Sequence, residues 1–117
     1  RAHRLGVDCE WPSDAVVVCS FGDASANHST AAGAINTALA TAFRGLPVPI
    51  VFVCEDNGFG ISVPTPAGWI EAAYGSRPGL AYVSADARHA NEVVTKAMDF
   101  IEDNVEGQVL ETSVEIL

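Results

Sequence analysis

Two short apolar runs constrain this chain more than anything else in it. They are residues 15–20 (AVVVCS) and 49–55 (PIVFVCE), and a segment of helical period separates them. Both runs are rich in β-branched residues and too short for helices. They read as strands buried on both faces, the pattern of a parallel sheet. Between them, residues 28–44 set Ile35, Ala38, Leu39, Ala42 and Phe43 at helical spacing. Asn27, Ser29 and Thr30 are candidate caps at its start and Gly45 is a suitable stop. Strand, helix and strand in this order make one crossover unit of an α/β domain.

The rest of the chain continues the alternation. Residues 63–79 form a connection rich in proline and glycine, with a short helix expected around Trp69–Tyr74. Residues 80–83 read as a third strand. Asp86 is expected to cap an amphipathic helix that carries Ala90, Val93, Val94, Ala97 and Ile101 on one face, with Glu92 and Lys96 as an i,i+4 pair on the other. Residues 108–116 alternate and read as a last strand. The expected fold class is therefore α/β, a mainly parallel sheet with helices on both faces. Residues 1–117 are expected to be one domain core, with residues 1–14 a polar lead-in from a longer chain.

Charge narrows the partners. Lys and Arg number 6 against 15 Asp and Glu, a net charge of −9. Nucleic acid and anionic membranes both require a basic face, so neither is expected. No apolar run approaches the ~18 residues of a membrane span. The chain has 3 cysteines, Cys9, Cys19 and Cys54, whose spacing fits neither a zinc site nor a disulfide framework. Cys19 and Cys54 sit in the apolar runs and are expected to be buried thiols of a cytoplasmic-type protein.

Ligands of open α/β sheets bind beyond the carboxyl ends of the strands. Two loops occupy that place, FGDASAN at residues 21–27 and EDNGFG at residues 55–60. Asp23 offers a carboxylate and Asn57 an amide oxygen. Gly22, Gly58 and Gly60 allow the backbone close to a ligand. The first loop opens a helix whose N–H groups attract an anion. Together these loops suit a hard cation such as Mg²⁺ that holds a phosphate. A plain turn and helix cap would also account for a Gly-Asp pair after a strand. The phosphate signatures GxGxxG and GxxxxGK[ST] are both absent.

The stretch GDASANHSTAAGAINTALATAFRGLPVPIVFVCEDNGFGIS resembles the thiamine-diphosphate motif of the 2-oxoacid dehydrogenases. That motif runs Gly-Asp-Gly, then roughly thirty residues, then Asn. It belongs to the decarboxylating first component, alpha-subunit type, within the transketolase-like superfamily. Residues 15–62 carry the resemblance strongly, and YVSADARHANEVVTKAMDFI carries it more weakly. The resemblance implies that Asp23 and Asn57 are side-chain ligands of Mg²⁺ and that the Phe59 carbonyl is a backbone ligand. It implies that backbone N–H groups of Gly22, Ala24 and Ser25 touch the diphosphate. The implied activity is oxidative decarboxylation of a 2-oxo acid with acyl transfer to a lipoyl group.

Ala24 departs from the motif, which has glycine there. An alanine at that place needs a negative φ or carries strain. The resemblance also implies partners: a pyrimidine-binding domain or beta-type subunit, a lipoyl-bearing acyltransferase, and an oligomeric assembly. The expected location is the cytoplasm, or the mitochondrial matrix in a eukaryote. The chain alone is expected not to turn over, so no catalytic residue is assigned within it. A transketolase-like or acetoin-cleaving thiamine enzyme is an alternative, as is a cofactor-free assembly domain of the same fold. His28 reads as a polar residue at a helix start, His3 and His89 as surface residues, and Trp69 and Tyr74 as packing residues. Asp56 is expected to stabilise its loop.

Overall fold

The computed structural model describes residues 5–12, 15–86, 88–89, 91–92, 95–96, 99 and 111–116. Its strands are β1 (Val17–Gly22), β2 (Ile50–Glu55), β3 (Leu80–Ala85) and β4 (Glu111–Ile116), and its helices are α1 (Asp23–Ala26), α2 (Ser29–Phe43) and α3 (Trp69–Tyr74). The strands form one sheet in the order β1-β2-β4-β3, and every neighbouring pair is parallel. The α/β reading and the parallel sheet hold. The helix expected after Asp86 has its apolar positions Ala90, Val93, Val94, Ala97 and Ile101 outside the described residues. The Glu92–Lys96 pair does form, at 2.7 Å.

The core lies on one face of the sheet. Ile35, Ala38 and Leu39 of α2 meet Phe52 and Cys54 of β2 and Ile70 and Tyr74 of α3. The i, i+3, i+4 spacing in α2 and the i, i+4 spacing in α3 turn those side chains to a common side. Phe52 and Cys54 are two apart and so share a sheet face. Phe21 of β1 joins them edge-on to Phe52, with ring centroids 6.3 Å apart. Full burial of side chains of this size is worth roughly 1.5–3 kcal/mol each.

Two local expectations are corrected. The run 15–20 is not buried on both faces: β1 lies at the sheet edge, and Val17 and Val18 are 57% and 65% exposed. Cys19 is exposed with them, whereas Cys54, in the central strand, is buried, and no disulfide joins the cysteines. An edge strand has a neighbour on one side only, so its composition cannot by itself bury it. The helix expected over residues 28–44 is preceded by a separate short helix, α1, and none of the three expected caps is used. His28 is the cap of α2, its Nδ1 accepting from the Thr30 N–H at 3.2 Å. Gly45 does end the helix, at φ 73°.

Candidate functional site

Strand register sets the site. Gly22 pairs with Glu55, so β1 and β2 end at the same level. The next residues after the two strands, Asp23 and Asp56, leave the sheet together, and their side chains come within hydrogen-bonding reach of each other. Both are buried, Asp23 at 2% exposure. Two neighbouring buried carboxylates are costly unless something positive or hydrogen-bonding meets them.

Asp23 is only half satisfied. Thr65 Oγ1 donates a hydrogen bond to its Oδ2. Its Oδ1 is buried and has no hydrogen-bond partner among the described residues. Burial pushes the Asp23 pKa up, but the Thr65 hydroxyl, the Ala24 amide, the Asp56 side chain and the Gly58 amide outweigh it. The carboxyl is held below its ordinary range and stays ionised. Asp23 is therefore a buried anion with one oxygen unspent, a condition that a hard cation relieves.

The second loop is a tight turn. Asn57 is exposed, and its Oδ1 accepts from the Phe59 N–H at 3.0 Å. Gly58 sits at φ 78°, a conformation that favours glycine. Phe59 bridges antiparallel to Pro64. Two backbone bonds close the turn, Gly60 N–H to the Val63 carbonyl at 2.7 Å and Thr65 N–H to the Gly58 carbonyl at 2.9 Å. Neither uses the Phe59 carbonyl, which leaves that oxygen available to a ligand. The amide oxygen of Asn57 likewise keeps a second lone pair.

The two loops are packed together through Ala24 and Gly60. A Cβ placed on Gly60 would lie 3.1 Å from the Ala24 Cβ and 3.2 Å from the Val63 carbonyl oxygen. Among the described residues no non-glycine residue has a positive φ, so Ala24 carries no backbone strain. Its methyl is instead accommodated by the bare backbone of Gly60. Gly22 has extended backbone at φ −83°, and a Cβ there would meet nothing within 4 Å. The space in front of it is open to a ligand. Ser25 is exposed, and with Ala24 it stands in the first turn of α1, where amides lack intrahelical acceptors.

Of the expected site residues, Gly22, Asp23 and Ala24 are thus set against the loop that carries Asn57 and Phe59. The contacts run through Asp56, Gly58 and Gly60, while the Asn57 side chain turns into its own loop. Asp56 belongs beside Asp23, a closer role than bracing its own turn. Nothing local in the sequence marks Thr65, because its partner Asp23 lies 42 residues away. Trp69, expected to be a packing residue, is instead 42% exposed, and its Nε1 donates to Asn27 Oδ1 at 2.7 Å, a bond that fixes α3 to the first loop. Tyr74 is a core residue, as expected, with its hydroxyl directed at the Ala26 carbonyl at 3.4 Å.

No group of three or more His, Cys, Asp and Glu side chains suited to a metal gathers among the described residues. A set of one carboxylate, one amide oxygen and one carbonyl is not such a group, and it suits magnesium rather than zinc. Among the described residues no helix is long and apolar enough to cross a membrane. The family model described as the dehydrogenase E1 component matches residues 12–102. No curated protein matches the chain.

Proposed function

The chain belongs to the dehydrogenase E1 component family, and from that premise we propose that it provides the thiamine-diphosphate- and Mg²⁺-binding part of a 2-oxoacid dehydrogenase. One observation supports this reading above others: the buried Asp23 carboxylate keeps Oδ1 free where two loops leave adjacent parallel strands. Asp23 Oδ1, the second lone pair of Asn57 Oδ1 and the Phe59 carbonyl would hold the cation. The backbone N–H groups of Gly22, Ala24 and Ser25 would hold the diphosphate. Burial of Asp23 matters to that task, because a charge held out of water binds its counter-ion more strongly.

The bound thiamine group would supply the electron sink for loss of carbon dioxide from the 2-oxo acid. The residues of this chain bind and orient. Asp23 and its neighbours fix the diphosphate end, and the Phe59–Pro64 bridge closes the second loop on itself. A pyrimidine-binding domain or beta-type subunit would complete the cofactor site, and a lipoyl-bearing acyltransferase would take the acyl group. Assembly as an oligomer in the cytoplasm or the mitochondrial matrix accompanies this reading, with residues 1–117 as the core of the diphosphate-binding domain.

Calorimetric titration of thiamine diphosphate into the complete protein, with and without Mg²⁺, tests it. Magnesium-dependent binding that is lost in both Asp23→Ala and Asn57→Ala is the expected result. Binding that survives both substitutions unchanged would refute the assigned ligands. A complete protein that binds no cofactor under any condition would favour the assembly-domain reading.

A further inference from the structure

Thr65 is the place where the two halves of the site are joined. Its backbone N–H donates to the Gly58 carbonyl at 2.9 Å, which makes it part of the second loop. Its hydroxyl crosses to the first loop and donates to Asp23 Oδ2. It stands between Pro64, bridged to Phe59, and Pro66. A residue before proline is confined to extended backbone, and a β-branched side chain has few χ1 choices. The hydroxyl is therefore delivered to the carboxylate with little freedom left to lose.

A carboxylate has two equivalent oxygens and rotates about its last bond. A donor fixed on Oδ2 stops that rotation and determines which oxygen stays free. The buried and unpartnered atom is Oδ1. We propose that Thr65 is a positioning residue for the cation: it pins Asp23 through Oδ2, presents Oδ1 as the ligand, and ties that ligand to the loop carrying Asn57 and Phe59. This inference rests on the assignment of Asp23 as a cation ligand. Its consequence is specific. The hydroxyl matters for metal affinity, whereas the methyl group and the backbone of Thr65 matter for the turn.

The test measures Mn²⁺ affinity by electron paramagnetic resonance in the complete protein, in the presence of thiamine diphosphate. Thr65→Val keeps the shape and removes the donor, and Thr65→Ser keeps the donor. Partners that orient a metal ligand are typically worth 10–100-fold in metal affinity. The expected result is that Thr65→Val weakens Mn²⁺ binding at least tenfold while Thr65→Ser stays within about twofold of the parent. Melting of the metal-free proteins accompanies this, and the rise in melting temperature on adding Mn²⁺ should shrink in Thr65→Val and persist in Thr65→Ser. If Thr65→Val does not fold, Thr65→Ala compared with Thr65→Ser carries the same test.

Unchanged Mn²⁺ affinity in Thr65→Val, with loss in Asp23→Ala, would overturn the role of Thr65 and leave the cation site standing. Equal weakening in Thr65→Val and Thr65→Ser, with lower metal-free melting in both, would also overturn it, because a structural role alone accounts for that pattern. Full Mn²⁺ affinity in Asp23→Ala would remove the site itself, and the inference with it.

Discussion

The two loops of the candidate site are built by opposite means. The loop after β1 is shaped from a distance. Asp23 takes its hydrogen bond from Thr65 and Asn27 takes one from Trp69, each across 42 residues. The loop after β2 is shaped locally. Asn57 bonds the amide two residues on, and Gly58 supplies the left-handed turn. The first loop can therefore hold a buried charge in an unsatisfied state, since the surrounding structure determines its position. The second offers the exposed residues Asn57 and Phe59, and it keeps its form from its own sequence. A buried anion and a preformed turn are complementary parts of one cation site.

Four experiments break or sharpen that contrast. The largest effect falls on the first loop. Asp23→Asn keeps the shape and removes the charge, and it should weaken Mg²⁺-dependent thiamine diphosphate binding by about 3 kcal/mol, roughly a hundredfold. In the metal-free protein the same change should lower the urea unfolding midpoint only modestly, because the hydrogen bonds that hold the Asp23 carboxyl below its ordinary range favour its charged form in the folded state. A marked loss of metal-free stability would mean that Asp23 serves the fold and not a ligand.

Gly60→Ala tests the contact between the loops. Its methyl would meet the Ala24 methyl and the Val63 carbonyl, so about 2 kcal/mol of destabilisation is expected in chemical unfolding. Adding Ala24→Gly should recover part of that loss, since it clears one of the two obstructions. Strict additivity of the two changes would show that the loops do not touch through these residues.

Gly58→Ala strains the turn of the second loop. The φ of 78° should cost about 1 kcal/mol, visible in the thermal midpoint, and because the Gly58 amide also faces Asp23, the cation affinity should fall with it.

The smallest effect concerns the base of the first loop. Burial in the core pushes the Tyr74 hydroxyl above its usual pKa, with Arg77 acting against this and Cys54 adding to it. A phenol whose folded pKa is raised favours folding fully at pH values below about 10 and loses that contribution as pH rises through the folded value. Stability followed from pH 8 to about 11 should therefore fall in the parent and fall less in Tyr74→Phe. Parallel profiles in the two proteins would contradict the assignment.

Much of this arrangement was readable in the residues. The order of strands and helices follows from period and length, and Trp69–Tyr74 forms the short helix its pattern indicates. The Gly-Asp and Asp-Asn-Gly loops stand at strand ends because glycine and Asx residues end strands there. The short helix α1 was not readable. Residues 21–27 carry the chemistry of a turn, and a single helical turn has too few residues for a period, whereas the start of the next helix at His28 was marked. The exposure of β1 was not readable either, because Val17 and Val18 have the composition of buried strand residues.

The sequence by itself determined the elements, the crossover connection and the chemical identity of the oxygens at the strand ends. These depend on backbone preference and side-chain type, which act within a few residues. The tertiary structure alone decided that β4 lies between β2 and β3, that Gly22 is level with Glu55, and that Thr65 reaches Asp23. Those depend on burial and hydrogen bonding between groups far apart in the chain, where no local residue pattern marks the pair. The free oxygen of Asp23 belongs to this second kind: its identity is written at one position, and its isolation is made by everything packed around it.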